Sequence, residues 1–575
     1  MVMEGIKNTP ITELSNETTV DIDLRDSTGI VRLLRQCDAQ IFSGWRDHPC
    51  LYDRETVEPL EDLSMYIQQV LKDPVNCCVV FSGCGTSGRI GFALAKKFTT
   101  LAEDQGILTS PGLYKYLIAG GDVALFASVE MPEDDWRQGQ VDLETLVQDK
   151  KKVVFIGITC GLSAPYVAGQ LDYCMDNPDT FIPVLLGFNP IHLALTTPIE
   201  GWKHPKGIIL NPVVGPEAIT GSSRMKGGST TKILLETALI KAHIEALCPG
   251  YHVDPCSILP SYEIVFRQAY LHVNEMSKAM SLAGNCLRNN GHIYYVAWGP
   301  PSFMALLDAS ECVPTFSASF DDVRAFVSGG FEFLGNSEGA VSIGGSKLQI
   351  SIDEFLSGFL SKLSSNDIVI AVCLYPKYLE QVTEIVKQAS QKGARLVGFL
   401  SQNNGSQYGN DIEGFFDVSI KLDMEKYKSS NFLPDSKVQT FFNKCLDELA
   451  VKWFLNAVST GAHVLDGKVL RSFMIDLKVS NNKLFRRAVG IISRFSRVDE
   501  NEAQIALLKA IYRKDVIPES TTNELTSNHV SVGSLQDKVV PLAVLLATGR
   551  FNVESGLKTL KDKTVSQALE ELHLL

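Results

Sequence analysis

Short, continuously apolar segments alternate with helical patterns over most of this chain, and this alternation restricts its fold more than any other feature. Apolar runs occur in CCVVFSG (77–83), KKVVFIGIT (151–159) and FIPVLLGF (181–188), and the helical pattern SAPYVAGQLDYCM (163–175) lies between the last two. A strand without polar alternation is buried on both faces, as in a parallel sheet that helices cover on both sides. The sequence therefore predicts an α/β fold.

The α/β pattern is present twice. Residues 291–311 align with residues 77–97 when Gly299 is matched to Gly85, and two later strand patterns follow in the same order and at similar spacing. Several matched elements in the same order indicate an internal repeat. We therefore predict two copies of one α/β unit.

A helical tail follows the two units. Its residues show amphipathic helical patterns without strands, and the longest of these patterns covers 471–495. Residues 518–537 are rich in Ser, Thr and Asn, and we expect a loop there. The predicted regions are an N-terminal segment with one helix over 27–42 (1–49), unit 1 (50–265), unit 2 (266–468) and an all-helical domain (469–575).

The composition argues against several classes of function. A net charge of −13 disfavours a surface for nucleic acid, and no apolar run reaches the ~18 residues that a membrane helix needs. The 13 cysteines include no CxxC pair, which favours a reduced chain, and the ten histidines lack the spacing of metal ligands. We therefore expect no nucleic-acid partner, no membrane span and no metal.

Two polar loops follow predicted strands and could hold an anion, GTSGR (85–89) and GITCGLSAP (157–165). A Gly-rich turn that opens a helix directs backbone amides and hydroxyls toward one point. Either loop alone could be an ordinary tight turn, but two on neighbouring strands favour a phosphate site. No GK[ST] follows the first loop, so it is not a P-loop, and we infer no nucleotide cofactor. The candidate residues are Gly85, Thr86 and Ser87 in the first loop, and Thr159, Gly161 and Ser163 in the second.

Charged residues near these loops are further candidates. Arg224 precedes a predicted helix and could either bind a phosphosugar or belong to a solvated turn. Lys483 and Arg487 are spaced i and i+4, so they share one helix face. The carboxylates Glu133 and Glu311 follow strands of units 1 and 2, but spacing alone assigns neither a role in catalysis.

Several longer motifs carry a family resemblance: GTSGR, GPEAITGSSRMKGGSTTK, VSTGAHVLDGKV and DLKVSNNKLFRRA. These motifs resemble those of the sugar isomerase (SIS) domain. They are also similar to motifs of the glucokinase regulatory protein family and of the related N-acetylmuramic acid 6-phosphate etherases, and this resemblance covers nearly the whole chain. The resemblance implies two tandem, doubly wound, flavodoxin-like SIS domains and a C-terminal helical lid domain. Leu162 stands where the etherase motif SGRTPY has Arg, which favours the regulatory family.

The resemblance also implies one composite phosphosugar site. Unit 1 keeps GTSGR but has Lys97 at the position of Glu311, whereas unit 2 keeps Glu311 but has GPPSF (299–303) in place of GTSGR. The resemblance therefore implies that the site built from the loops of unit 1 and Glu311 of unit 2 is complete. The equivalent site, built from GPPSF of unit 2 and Lys97 of unit 1, lacks the residues that hold an anion. By this resemblance, phosphate contacts fall to Ser87, Thr159, Ser163 and Lys483 beside Gly85 and Thr86, and sugar contacts fall to Glu133, Gly161, Arg224, Arg487 and Glu311.

The family implies a non-enzymatic regulator that binds fructose 6-phosphate or fructose 1-phosphate and inhibits glucokinase by direct association. It implies no cofactor, a monomer with an internal pseudo-dimer, and a cytoplasmic location, with the nucleus left open. Pro314 stands where the regulatory family has His, so the preferred phosphosugar stays open. The alternative is an etherase in which Glu133 and Glu311 act as acid and base. An isomerase, or a sensor for another partner, is the weakest hypothesis.

Overall fold

Two five-stranded parallel sheets form the centre of the protein, as the apolar segments predict. The computed structural model describes residues 10–107, 112–194, 206–248, 250–341, 345, 348–402, 412–428 and 433–575. In unit 1 the strands are β1 (Cys77–Gly83), β2 (Tyr114–Ile118), β3 (Lys152–Ile158), β4 (Phe181–Leu186) and β5 (Ile208–Leu210). In unit 2 they are β6 (Ile293–Ala297), β7 (Val323–Val327), β8 (Ile368–Cys373), β9 (Arg395–Ser401) and β10 (Val418–Leu422).

Both sheets have the same topology. The strand order is β2-β1-β3-β4-β5 in unit 1 and β7-β6-β8-β9-β10 in unit 2, with every pair parallel. The repeat predicted from the sequence is therefore confirmed. The order of the strands reverses at β1, because β2 lies on one side of it and β3, β4 and β5 follow one another on the other side. Ligands of doubly wound proteins bind at the carboxyl ends of the strands where the order reverses, here between β1 and β3. Both polar loops follow these two strands.

The helices that surround the sheets follow the predicted alternation. We number those of five or more residues. Up to the end of unit 1 they are α1 (Ser27–Ser43), α2 (Arg54–Lys72), α3 (Gly85–Asp104), α4 (Trp136–Val147), α5 (Pro165–Asp176), α6 (Lys226–Leu247) and α7 (Pro255–Ala269). In unit 2 they are α8 (Val273–Arg288), α9 (Ser302–Phe316), α10 (Gly330–Leu334), α11 (Leu379–Gln391) and α12 (Ser436–Leu465).

Two helices without a polar face lie at the centre. Along most of α6 and α12 every residue is buried, including lysines and glutamates, so neither helix is amphipathic. A helix that is covered on all sides is expected to lack an apolar stripe. They pack against each other, and α3 of unit 1 also packs against α9 of unit 2, so the two units share one interface.

The C-terminal domain is mostly helical, as predicted, but it differs from the prediction in two places. Its helices are α13 (Asn482–Ser496), α14 (Glu500–Tyr512), α15 (Thr526–Gly533), α16 (Val539–Ala547), α17 (Val553–Asp562) and α18 (Val565–Glu571). The predicted loop 518–537 contains α15 and a short helix, Glu519–Thr522. Among the described residues, no helix is long and apolar enough to cross a bilayer.

The helix predicted over 471–495 begins only at residue 482, and this part of the prediction is wrong. The preceding residues form a small antiparallel pair, β11 (Val469–Leu470) and β12 (Phe473–Met474). The Ser472 carbonyl accepts a 2.7 Å hydrogen bond from the Thr220 amide, so unit 1 holds this segment in an extended form. The side chain of Asn481 caps α13 by accepting from the Leu484 amide at 2.8 Å.

Candidate functional site

A small polar cavity lies where unit 1, unit 2 and the helical domain meet. It encloses about 80 Å³ at the carboxyl end of β1. Unit 1 supplies the GTSGR loop, the segment after β2 and the segment before α6, unit 2 supplies α9, and the helical domain supplies α13. We call it the polar cavity, and its lining residues are Cys84, Gly85, Thr86, Glu130, Glu133, Gly221, Ser222, Ser223, Glu311, Pro314, Thr315, Met474, Lys483, Leu484 and Arg487.

Two buried hydroxyls in the wall of the polar cavity lack a hydrogen-bond partner. They belong to Thr86 in the GTSGR loop and Ser222 before α6, and each residue is about 5% exposed or less. Within the described residues, no donor or acceptor satisfies either hydroxyl. Buried polar groups are nearly always hydrogen-bonded in native proteins, so these two hydroxyls are available to a polar ligand in the cavity.

The helical domain contributes two cations through α13. The Lys483 Nζ donates to Glu133 Oε1 at 2.7 Å, and the Arg487 guanidinium donates to both carboxylate oxygens of Glu13 at 2.6 and 2.8 Å. Burial lowers the pKa of Lys483, but the charges of Glu133 and Glu130 and the hydrogen bond to Glu133 together outweigh burial, so this pKa lies above its usual value. Both groups are therefore cationic at neutral pH, one helical turn apart, as their spacing predicts.

A glycine lets Arg487 approach the backbone of unit 1. Gly221 has a φ of +82°, and a Cβ added there would lie 2.4 Å from the Arg487 Cζ atom. Any other residue would both strain the backbone and displace the guanidinium. Packing against Arg487 therefore explains the glycine at position 221 in the motif GPEAITGSSRMKGGSTTK.

Unit 2 closes the polar cavity with Glu311 on α9. The Arg89 guanidinium forms an ion pair with the Glu311 carboxylate, and the side chains of both residues are almost fully buried. Arg89 also donates to the carbonyls of Leu125 and Ala127, at 3.3 and 3.0 Å. Arg89 thus links the GTSGR loop of unit 1 to the carboxylate of unit 2, a role that the sequence did not assign to it.

A third carboxylate in the polar cavity is Glu130, which follows the same predicted strand as Glu133 and to which the sequence assigned no role. It accepts a 2.8 Å hydrogen bond from the Ser128 hydroxyl. Burial, and then repulsion by the charge of Glu133, raise its pKa above the usual value. Its position after β2 was visible in the sequence, but nothing in the sequence distinguished it from a solvated glutamate.

The second loop lies beside the polar cavity rather than in it. Gly161 and Ser163 line a neighbouring cavity of about 500 Å³, which shares Glu133, Lys483 and Arg487 with the polar cavity. The Thr159 Oγ1 accepts from the Ser163 and Ala164 amides at 3.1 and 3.4 Å. Thr159 therefore stabilises the turn that positions the loop.

Ser87, which we predicted to contact the phosphate, is a buried residue of the GTSGR loop. Its hydroxyl lies 3.7 Å from the Cys160 Sγ atom. Burial raises the pKa of Cys160 to about 11, so this thiol stays protonated at neutral pH. Neither Ser87 nor Thr159 lines the polar cavity or its neighbour.

The structure places Arg224 in the interface between the units, away from both cavities. Its guanidinium donates to Asp308 Oδ1 at 2.8 Å, to the Thr460 hydroxyl at 2.7 Å and to the Ser459 hydroxyl at 3.1 Å. Arg224 and Asp308 are each 1% exposed. The guanidinium is thus engaged with α9 and α12, in a structural contact that the sequence motif did not indicate.

Comparison with known protein families gives three matches, which follow one another along the chain. Residues 62–175 match the glucokinase regulatory protein N-terminal SIS domain, and residues 270–466 match its second SIS domain. Residues 471–569 match the C-terminal lid domain of glucokinase regulatory protein. These matches confirm the predicted fold class of two tandem SIS domains followed by a helical lid, whereas the limits that we gave for each domain stay a prediction.

Relatives with similar sequences extend over nearly the whole chain. The glucokinase regulatory protein of Xenopus laevis is 36% identical over 560 residues, which cover 93% of this chain and 88% of that protein. The human glucokinase regulatory protein is 36% identical over 570 residues, which cover 95% and 89%. N-acetylmuramic acid 6-phosphate etherase 2 of Vibrio cholerae is 32% identical over 230 residues, only 39% of this chain and 65% of that protein. By the order of its domains and the extent of these matches, the chain belongs to the glucokinase regulatory protein family.

Proposed function

We propose that this protein is a non-catalytic regulator that binds fructose 6-phosphate or fructose 1-phosphate in the polar cavity and inhibits glucokinase by direct association. The phosphosugar modulates the association. The proposal includes a monomer whose two SIS domains act as an internal pseudo-dimer, and a cytoplasmic location with the nucleus as alternative. Its support is the family membership together with the chemistry of the polar cavity.

One observation supports a phosphosugar as the class of ligand. Cations from the lid, unpartnered hydroxyls from unit 1 and carboxylates from both units converge on a single cavity. A phosphate can accept from Lys483 and from the Thr86 hydroxyl in charge-assisted hydrogen bonds. The carboxylates of Glu133 and Glu311 are suited to accept from sugar hydroxyls. A phosphosugar that extends from the polar cavity into the neighbouring cavity of about 500 Å³, which shares Glu133, Lys483 and Arg487 with it, would satisfy both sets of groups at once.

The lid helix α13 is the element through which the ligand would act. Lys483 is held by Glu133, and Arg487 is held by Glu13 of the N-terminal segment. A phosphate that replaces Glu133 as the partner of Lys483 changes which region of the protein holds α13. A ligand with different affinity for two lid arrangements shifts the population between them. The kinase would then bind one of these arrangements more tightly.

The alternative is an etherase that uses Glu133 and Glu311. Both carboxylates line the polar cavity, and each is already paired with a cation. This alternative predicts release of lactate from N-acetylmuramic acid 6-phosphate, and we expect none.

Glucokinase inhibition tests the proposal. The purified protein is titrated into an assay of glucokinase from the same source at low glucose, with and without fructose 6-phosphate and fructose 1-phosphate. We expect inhibition that glucose relieves and that at least one phosphosugar changes severalfold. The Lys483→Ala variant should inhibit but lose the response to phosphosugar, because its cation is missing from the polar cavity.

A matched control keeps this test specific. Lys558 is an exposed lysine on another lid helix, α17, and Lys558→Ala should retain the response. Absence of inhibition by the wild-type protein would overturn the kinase part of the proposal. Inhibition with an unchanged response in Lys483→Ala would overturn the assignment of the polar cavity.

A further inference from the structure

A second cavity lies at the position that corresponds to the polar cavity when unit 1 and unit 2 are exchanged. The polar cavity is built from the start of α3, the middle of α9, the segment after β2 and the segment before α6. The second is built from the start of α9, the middle of α3, the helix α10 after β7 and the start of α12. Each of these four elements of one cavity therefore has its repeat in the other, whereas α13, which also lines the polar cavity, has none.

Pro300 and Pro301 occupy the positions of Thr86 and Ser87, so this cavity lacks the hydroxyls of the GTSGR loop, but it is open. Its volume is about 440 Å³, within the range of small-molecule sites. Phe303 occupies the position of Arg89, and its ring lies 5.3 Å from that of Phe92. Met304 and Leu334 extend this apolar surface, and both are almost fully buried. We call it the apolar cavity.

The rim of the apolar cavity is positively charged. Lys96, Lys437 and Lys444 line it with exposed side chains, against one exposed carboxylate, Asp104. Lys437 donates to the backbone carbonyl of Asp104 at 2.6 Å. Among the described residues, no ion pair involves Lys96 or Lys444. The rim therefore offers two ammonium groups without a counter-ion.

The lysine at the position of Glu311 does not contribute to this rim charge. Lys97 forms ion pairs with Glu236 and with Glu448, the latter at 2.9 Å. Lys232 pairs with the same two carboxylates, so these four charges neutralise one another inside the protein. The chemistry of the ligand therefore follows from the apolar wall and from the ammonium groups of Lys96 and Lys444.

We propose that the apolar cavity binds a small amphipathic carboxylate, a second ligand of a class different from the phosphosugar. The apolar body lies against Phe92, Phe303 and Met304, and the carboxylate is held at the rim by Lys96 and Lys444. The charge of the rim selects an anion, because the apolar wall by itself gives no preference for a carboxylate over a neutral head group. This inference does not depend on the proposed function of the polar cavity.

Calorimetric titration of the full-length protein with octanoate tests the inference. We expect one saturable site per chain and at least tenfold weaker binding of octan-1-ol, which has the same body without the charge. The double variant Lys96→Gln/Lys444→Gln should weaken octanoate binding at least tenfold. Lys392→Gln, at an exposed lysine at the end of α11, should not change it.

A space-filling variant tests the position of the ligand. Ala93 lines the apolar cavity from α3, and Ala93→Phe should abolish octanoate binding while fructose 6-phosphate binding or the thermal unfolding transition reports that the protein is folded. Octanoate binding that survives both this variant and the double lysine variant would overturn the inference. Equal affinity for octanoate and octan-1-ol would overturn the assignment of an anion. Sedimentation that shows the cavity closed by a second copy of the chain would also overturn it.

Discussion

The polar and apolar cavities occupy equivalent places between the two SIS units and yet have opposite chemistry. In the polar cavity, Arg89 of unit 1 reaches Glu311 of unit 2. In the apolar cavity, the corresponding positions hold Phe303 and Lys97, and Lys97 has turned to the carboxylates of the central helices. Both members of the pair differ between the two cavities, and the charged residues Arg89, Glu311 and Lys97 each have an ion-pair partner.

This difference shows what a fused pair of units permits. Two separate, identical chains have two identical composite sites, and a substitution in one site is present in the other. In a single chain the two sites vary independently, because each residue occurs in only one of them. One cavity can therefore keep a phosphosugar site while the other acquires a different surface from the same backbone.

The largest effect is expected where the two units are joined. Asp308 accepts from Arg224, Asn456 and Ser459 through one carboxylate oxygen, and from the Tyr295 hydroxyl at 2.8 Å through the other. Asp308→Ala leaves a buried guanidinium without its counter-ion, which should lower the free energy of unfolding by about 3–5 kcal/mol. Urea unfolding measures this loss.

The same variant separates the two roles of Arg224. If Arg224 acts in the interface, Asp308→Ala and Arg224→Ala should destabilise the protein to a similar extent, and their effects should be far from additive. Unchanged stability in Arg224→Ala together with lost phosphosugar binding would show instead that Arg224 contacts the ligand.

The carboxylates of the two cavities should respond to pH in opposite directions. Burial raises the pKa of Glu130, and repulsion by Glu133 adds to this. Burial also raises the pKa of Glu448, which lines the apolar cavity. The charges of Lys232 and Lys97 together outweigh burial, so the pKa of Glu448 lies below its usual value. Ionisation of Glu130 therefore destabilises the folded protein, whereas ionisation of Glu448 stabilises it.

Two glutamine variants measure this contrast. Glu448 stabilises the protein above the pKa of the unfolded chain, so Glu448→Gln should lose about 2 kcal/mol at neutral pH, and the loss should shrink as the pH falls through the lowered pKa. Glu130 stabilises only when protonated, and its contribution is lost as the pH rises through its raised pKa. Glu130→Gln should therefore be at least as stable as wild type at pH 7. Thermal unfolding from pH 4 to 8 checks both, and the same sign for both variants would contradict the account.

Matched glycines provide the smallest contrast. Gly85 has a φ of +49° and a Cβ there would lie 3.5 Å from Glu311 Oε1, whereas Gly299 has a φ of +74° and a Cβ would meet the Tyr375 ring at 3.0 Å. Alanine at either position should cost about 1 kcal/mol of stability or somewhat more. Only Gly85→Ala should also weaken fructose 6-phosphate binding, about tenfold. Equal binding in the two variants would argue against the polar cavity as the site.

The sequence predicted those features that depend on local pattern. The apolar strands, the repeat matched at Gly85 and Gly299, and the shared face of Lys483 and Arg487 all follow from spacing within a few residues or from direct self-comparison. The edge strand β5 was missed because it has only three residues. The segment before α13 was mistaken for helix because its conformation depends on a hydrogen bond from Thr220, some 250 residues away in the chain.

The remaining parts of the site required the three-dimensional structure. The motif around Arg224 does not reveal that Asp308 lies beside it. The exchange of GTSGR for GPPSF shows that an anion site was lost, but it cannot show whether the space closed or stayed open. Burial and distances between residues far apart in sequence decide both questions.

Counting the phosphosugar sites tests the central claim most directly. Calorimetric titration of the full-length protein with fructose 6-phosphate should give one site per chain, and Lys483→Ala should weaken binding about 100-fold, because a charge-assisted contact with the phosphate is removed. Lys558→Ala should bind as wild type does. Two sites per chain, or unchanged affinity in Lys483→Ala, would contradict the claim that the polar cavity alone binds the phosphosugar.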